Sequence, residues 1–121
     1  MSNVVPILSN GSKTGRTQSA SVFFHRLELD AILQVYARGV SLGEWRDYSL
    51  DASKGWVGFS AYQRATEMPQ YRLIKEPALA RKQGLFRLVN SSGHILKRGP
   101  ELGPVLRALE ARLIKLAKKQ A

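Results

Sequence analysis

The chain contains no cysteine. That absence excludes a disulfide framework, a thiol nucleophile and any thiolate-ligated metal together. It is compatible with a reducing cytoplasm. Histidine is scarce too: His25 and His94 lie in separate segments, without an evident carboxylate companion. His25 reads as a structural polar group at a strand–helix corner and His94 as a solvent-facing hairpin residue. Neither makes a persuasive metal site. No apolar run approaches the roughly 20 residues of a membrane span. The N-terminal "MSNVVPILSNGSKTG" lacks the charged and apolar regions of a secretory leader. There is no phosphate-binding glycine loop, no dinucleotide fingerprint, no H-x-x-x-H and no nucleophile elbow.

Acidic residues are the next deficit, with nine Asp and Glu against nineteen Lys and Arg. The acids are scattered. Glu44 and Asp47 are close in sequence, but in "GEWRDY" they flank Trp45 and Arg46 and read as a loop ion-pair cluster. A general acid–base pair would need a reason for its two members to titrate apart. The sequence therefore argues against an enzyme and calls for no cofactor or metal.

What is present is positive charge. The net charge is +10, and residues 79–121 hold ten basic and two acidic residues, which leaves +8 in the last third. Such an excess favours phosphate polymers or acidic proteins as partners. At 121 residues the chain is sized for one domain with a real core.

Residues 1–20 are rich in Ser, Asn, Gly and Thr without apolar periodicity, and read as a flexible tail before a single domain over residues 21–121. "SASVFFHR" alternates as a short strand. "LELDAILQVYARGVSLG" carries Leu29, Leu33, Tyr36 and Val40 at helical spacing, with Ile32 widening the stripe and Gly43 as a stop. Gly39 inside that helix marks either close packing or an earlier end. "RDYSLD" and "WVGFSAYQR" form a hairpin across "ASKG". In the second strand, Val57, Phe59 and Ala61 are the core set. "QYRLIKE" is a further strand, with Tyr71 and Leu73 on one face. "GLFRLVN" and "HILKR" pair across "SSG". Finally Leu102, Leu106, Leu109, Leu113 and Leu116 mark an amphipathic helix, with Pro104 in its first turn.

The expected order is β-α-β-β-β-β-β-α. This is an α+β fold, with one antiparallel sheet of five to six strands and two helices packed on one face. The other face would stay open, carrying Trp56, Arg72, Ile74, Arg87, Val89 and Leu96.

The stretch "LARKQGLFRLVNSSGHILKRG" holds five Lys and Arg around an apolar hairpin. Antiparallel pairing brings the start of one strand to the end of its partner. Arg81, Lys82, Lys97 and Arg98 should therefore meet at one end of the sheet. Internal acids (Glu67, Glu76 or Glu101) would neutralise them, or an anion would. Arg64 and Arg72 follow tyrosines, and aromatic residues interleaved with arginine on a sheet suit nucleic acid. Trp45 reads either as a core plug or as a stacking group; Trp56 is the second stacking candidate. The expected function is a non-catalytic module that contacts nucleic acid or a ribonucleoprotein through this basic hairpin edge. The alternative is a protein-interaction module, a homodimer or a binder of an acidic protein, using the open face. No membrane partner is expected.

The pieces "EWRDY" (Glu44–Tyr48), "YR" (Tyr71–Arg72), "ARKQG" (Ala80–Gly84) and "LKRG" (Leu96–Gly99), in that order, resemble a family of small bacterial proteins of unknown function, DUF2794. The similarity spans about residues 21–113. It implies a stand-alone cytoplasmic protein and brings no activity, cofactor or catalytic residue with it.

Overall fold

Alternating side chains in "DYSLDAS" and "WVGFSAY" close into a hairpin, β1 (Asp47–Ser53) and β2 (Trp56–Tyr62). The two-residue link Lys54–Gly55 needs a left-handed residue, and Gly55 supplies it at φ +115°. The computed structural model describes residues 21–64 and 68–120. Its other elements are α1 (Arg26–Ser41), β3 (Tyr71–Lys75), a 3₁₀ turn at Pro77–Leu79, β4 (Phe86–Asn90), β5 (Ile95–Gly99) and α2 (Leu102–Gln120). The five strands form one antiparallel meander in chain order, β1-β2-β3-β4-β5. The expected α+β architecture is what the chain adopts. No helix among the described residues is long and apolar enough to cross a membrane.

Both helices lie on the same face. Ile32 and Val35 of α1 and Val105, Leu106, Leu109 and Leu113 of α2 join Phe59, Ala61, Leu73, Phe86 and Leu88 in one buried cluster. The α2 stripe is the expected one, extended by Val105. In α1 the buried line is Ile32, Val35 and Gly39, while Val40 is 46% exposed, so the helix is rotated from the expected stripe. Trp45 explains the rotation. Its ring lies against Gly39, where a methyl group would collide with it, and stacks on Tyr36. Gly43, at φ +78°, follows the helix end as expected.

The strand expected at "SASVFFHR" is not formed over residues 21–25. Side chains hold this segment in place of a ladder. The buried Lys75 ammonium donates to the Phe23 carbonyl at 2.9 Å and to Glu28 Oε1 at 2.7 Å. Glu28 Oε1 also accepts the His25 N–H at the start of α1. The tail expected over residues 1–20 lies outside the described residues.

Candidate nucleic-acid interface on the uncovered sheet face

Register decides which side chains share the face away from the helices. Asp51, Gly58, Ile74, Arg87 and Arg98 form one cross-strand row, and Ser49, Ser60, Arg72, Val89 and Ile95 form the next. Trp56 and Tyr62 flank these rows on β2. Of the residues expected here, Leu96 is misplaced: it packs against the core cluster. A register shift in the β4–β5 pairing is the reason. Val89 faces Ile95 while Leu88 faces Lys97, so Leu96 is an extra residue that turns inward.

On β2 the floor of this face is made of two small residues, Gly58 and Ser60. A Cβ on Gly58 would sit 3.1 Å from the Trp56 ring and 3.5 Å from an Arg72 guanidinium nitrogen. The missing side chain lets those two groups meet above the sheet. Arg72 lies 5.6 Å from the Trp56 ring centre and donates to Ser60 Oγ. This is a cation–π pair whose two residues are both half-buried.

Arg87 and Arg98 stand directly opposite one another on β4 and β5. Like charges so placed repel. Glu76 offsets one of them, accepting from Arg87 at 2.8 Å. The other is held by a neutral group, since Arg98 donates to Gln83 Oε1. Gln83 belongs to the "ARKQG" turn, whose Gly84 lies against Gly99 at φ +96°. A Cβ on Gly84 would be 2.7 Å from the Gly99 carbonyl carbon, so glycine is required for the turn to dock on β5. That docking sets Arg81 and Lys82 beside the end of β5. Arg81, Lys82 and Lys97 are exposed, and none of them forms an ion pair among the described residues. Glu76 is engaged by Arg87, and Glu101 pairs with no cation among the described residues. Glu67 lies outside them.

The sequence-derived residues therefore divide. Arg72 and Trp56 sit together on the open face. Arg81, Lys82 and Arg98 gather at its β5 end. Lys97 faces the other side of the same edge strand, so the positive surface wraps around that edge. Arg64 is exposed beyond the end of β2, away from the turn. Trp45 takes its core alternative: it is 1% exposed, donates to Gln70 Oε1 at 2.7 Å and is enclosed by Tyr36, Gly39 and Tyr71. It is out of reach of any ligand. Arg87 was not among the candidate site residues, yet it stands nearest the centre of the cationic row. The antiparallel register of the hairpin is the signal that places it opposite Arg98.

A five-stranded meander with two helices behind it and an arginine–tryptophan platform in front defines a small open-faced α+β domain. Residues 22–106 match the model of the protein family of unknown function DUF2794, and the chain belongs to that family. All four motifs that carry the resemblance fall inside the matched span. No curated protein and no solved structure matches the chain.

Proposed function

We propose that this protein is a non-catalytic module that binds single-stranded nucleic acid, free or within a ribonucleoprotein, in the cytoplasm. The observation that carries the reading is the balance of charge at the β5 end. Arg81, Lys82, Arg87, Lys97 and Arg98 gather there, and Glu76 is the one carboxylate that pairs with any of them among the described residues. Internal neutralisation is thus incomplete, and a phosphate backbone would supply the missing charge. Trp56, with Arg72 above Gly58, offers a π surface on the same face for a base. A sheet face with both helices on its other side suits splayed bases better than a duplex groove.

The edges of the sheet lend the protein–protein alternative little support. β1 carries exposed Asp47 and Asp51, and β5 carries Lys97 and an irregular register. Both features discourage edge-to-edge strand pairing.

The test is fluorescence anisotropy with labelled single- and double-stranded RNA and DNA over a range of KCl. About four phosphate contacts give a log–log slope of about −3 for single strands. Preference for single strands with that slope supports the reading. No binding at low salt, or binding that salt does not weaken, overturns it.

A further inference from the structure

The outer face of α2 has a charge inventory that neither the core nor the open sheet face explains. The helix carries Arg107, Arg112, Lys115, Lys118 and Lys119 against one acid, Glu110. That acid is committed to Arg38 of α1. The helix dipole accounts for Lys118 and Lys119 in the last turn, but its influence does not extend back to Arg112 and Lys115. Arg112, Lys115 and Lys119 recur at spacings of three and four, so they share one face and repel one another. None of them forms an ion pair or hydrogen bond among the described residues. Together with Tyr71 of β3 and the half-buried Leu116 they line a pocket of about 130 Å³. Tyr71 is half-buried and its hydroxyl has no hydrogen-bond partner among the described residues. A wider cleft of about 580 Å³ shares Arg112 and Lys115 with this pocket and continues over Ala108, Ala111 and Ile114, where Ile114 is 40% exposed.

We propose that this pair of hollows is a second binding site, for a phosphomonoester whose phosphate sits among Tyr71, Arg112, Lys115 and Lys119. The organic part would lie on the Ala108–Ala111–Ile114 surface. The chemistry fits residue by residue. A guanidinium presents paired donors to phosphate oxygens, the two ammonium groups add point charge, and the phenol adds a neutral donor. Leu116 keeps one wall of the pocket dry. Burial raises the Tyr71 pKa, Arg112 offsets part of that rise and Glu44 adds to it, so the hydroxyl keeps its proton at neutral pH. Glu44 itself is 1% exposed, with both carboxylate oxygens unbonded, inside the protein near Tyr71. Against three cations it leaves a net positive site. The site lies on the other face of the sheet from the arginine–tryptophan platform and at the opposite end of the strands from the "ARKQG" turn. Tyr71 is on the helix side, in the row of Ala61 and Asn90. Its fate is therefore separable from that of the open face.

The test is an amide NMR titration of the full chain with inorganic phosphate and with a nucleoside 5′-monophosphate. The proteins are the wild type, R112A/K115A/K119A, Y71F and the open-face variant R87A/R98A. Saturable shifts at Tyr71 and along residues 108–119 are expected, with the monophosphate binding at least about tenfold tighter than inorganic phosphate. The triple variant should weaken binding by about tenfold or more, Y71F by about threefold, and R87A/R98A by less than about twofold. If the triple variant does not fold, Y71F, which removes one oxygen, decides. A 5′-phosphorylated oligonucleotide should shift the same residues, and its 5′-hydroxyl counterpart should not. Shifts that never saturate overturn the proposal, as do shifts spread evenly over all exposed cations. Unchanged binding in Y71F and the triple variant, or equal shifts with both oligonucleotides, overturns it as well.

Discussion

Gly39→Ala sets helix propensity against packing, and the two predict opposite signs. Alanine is favoured over glycine inside a helix by about 1 kcal/mol, so on local grounds the substitution stabilises α1. In the fold, the new methyl group would lie 2.7 and 2.8 Å from Cδ2 and Cζ3 of Trp45, and closer still to Cε3. The backbone has little freedom to retreat, because the Gly39 carbonyl accepts from the N–H groups of both Glu44 and Trp45. The ring must move. Overpacking of this kind costs about 1–3 kcal/mol. A displaced indole also risks its bond to Gln70, worth about 1 kcal/mol. The net expectation is a loss of about 2 kcal/mol, read from urea unfolding followed by circular dichroism. In a Trp45→Leu background the obstacle is gone, and the same change should be neutral or stabilising by up to about 1 kcal/mol. A stabilised Gly39→Ala protein, or equal effects in the two backgrounds, would refute the packing argument.

Gly84→Ala should cost about 3 kcal/mol in the same assay, from the left-handed backbone and the collision with the Gly99 backbone. It should also weaken strand binding by unseating Arg81 and Lys82; a wild-type midpoint would show that the turn does not dock as described. Burial raises the pKa of Tyr36, with Asp47 and Tyr48 adding to the shift, and burial likewise raises that of Tyr71. Folding therefore holds these two protons more tightly than the unfolded chain does. Their contribution to stability is complete below pH 10 and is lost as pH climbs through the raised values. Ultraviolet phenolate titration, with Tyr36→Phe and Tyr71→Phe to assign the transitions, should find these two phenols ionising above the ordinary tyrosine range; ordinary titration of both would contradict it.

Much of the fold was legible because several of its strands place their apolar residues at alternate positions in the sequence. Val57, Phe59 and Ala61 and the Tyr71–Leu73 pair announced their faces, and the leucines of α2 announced theirs. Where the reading failed, the deciding contact was long-range. The stripe of α1 was set by Trp45 filling the space over Gly39, which no local periodicity encodes. Val22–Phe24 alternates like a strand, yet Lys75, far along the chain, takes the Phe23 carbonyl. Leu96 was assigned to the wrong face because an irregularity in pairing shifts the alternation without changing composition. In the candidate site, the convergence of "ARKQG" with "LKRG" follows from hairpin geometry alone. The role of Gly58 as the floor beneath Trp56 and Arg72, and the pocket beside Tyr71, depend on neighbours that only the folded chain brings together.

The central claim is that binding belongs to one place and not to the net charge. The most direct measurement compares two variants that each remove two positive charges, R81A/K82A and R26A/R46A, against a labelled single-stranded RNA over a KCl series. All four residues are exposed, so each variant should unfold within about 1 kcal/mol of the wild type. R81A/K82A should bind roughly tenfold more weakly at low salt, with a log–log slope shallower by about 1.4, two contacts at about 0.7 each. R26A/R46A should bind like the wild type. Equal losses in the two variants, or an unchanged slope in R81A/K82A, would mean that the β5 end of the sheet is not a phosphate-binding surface.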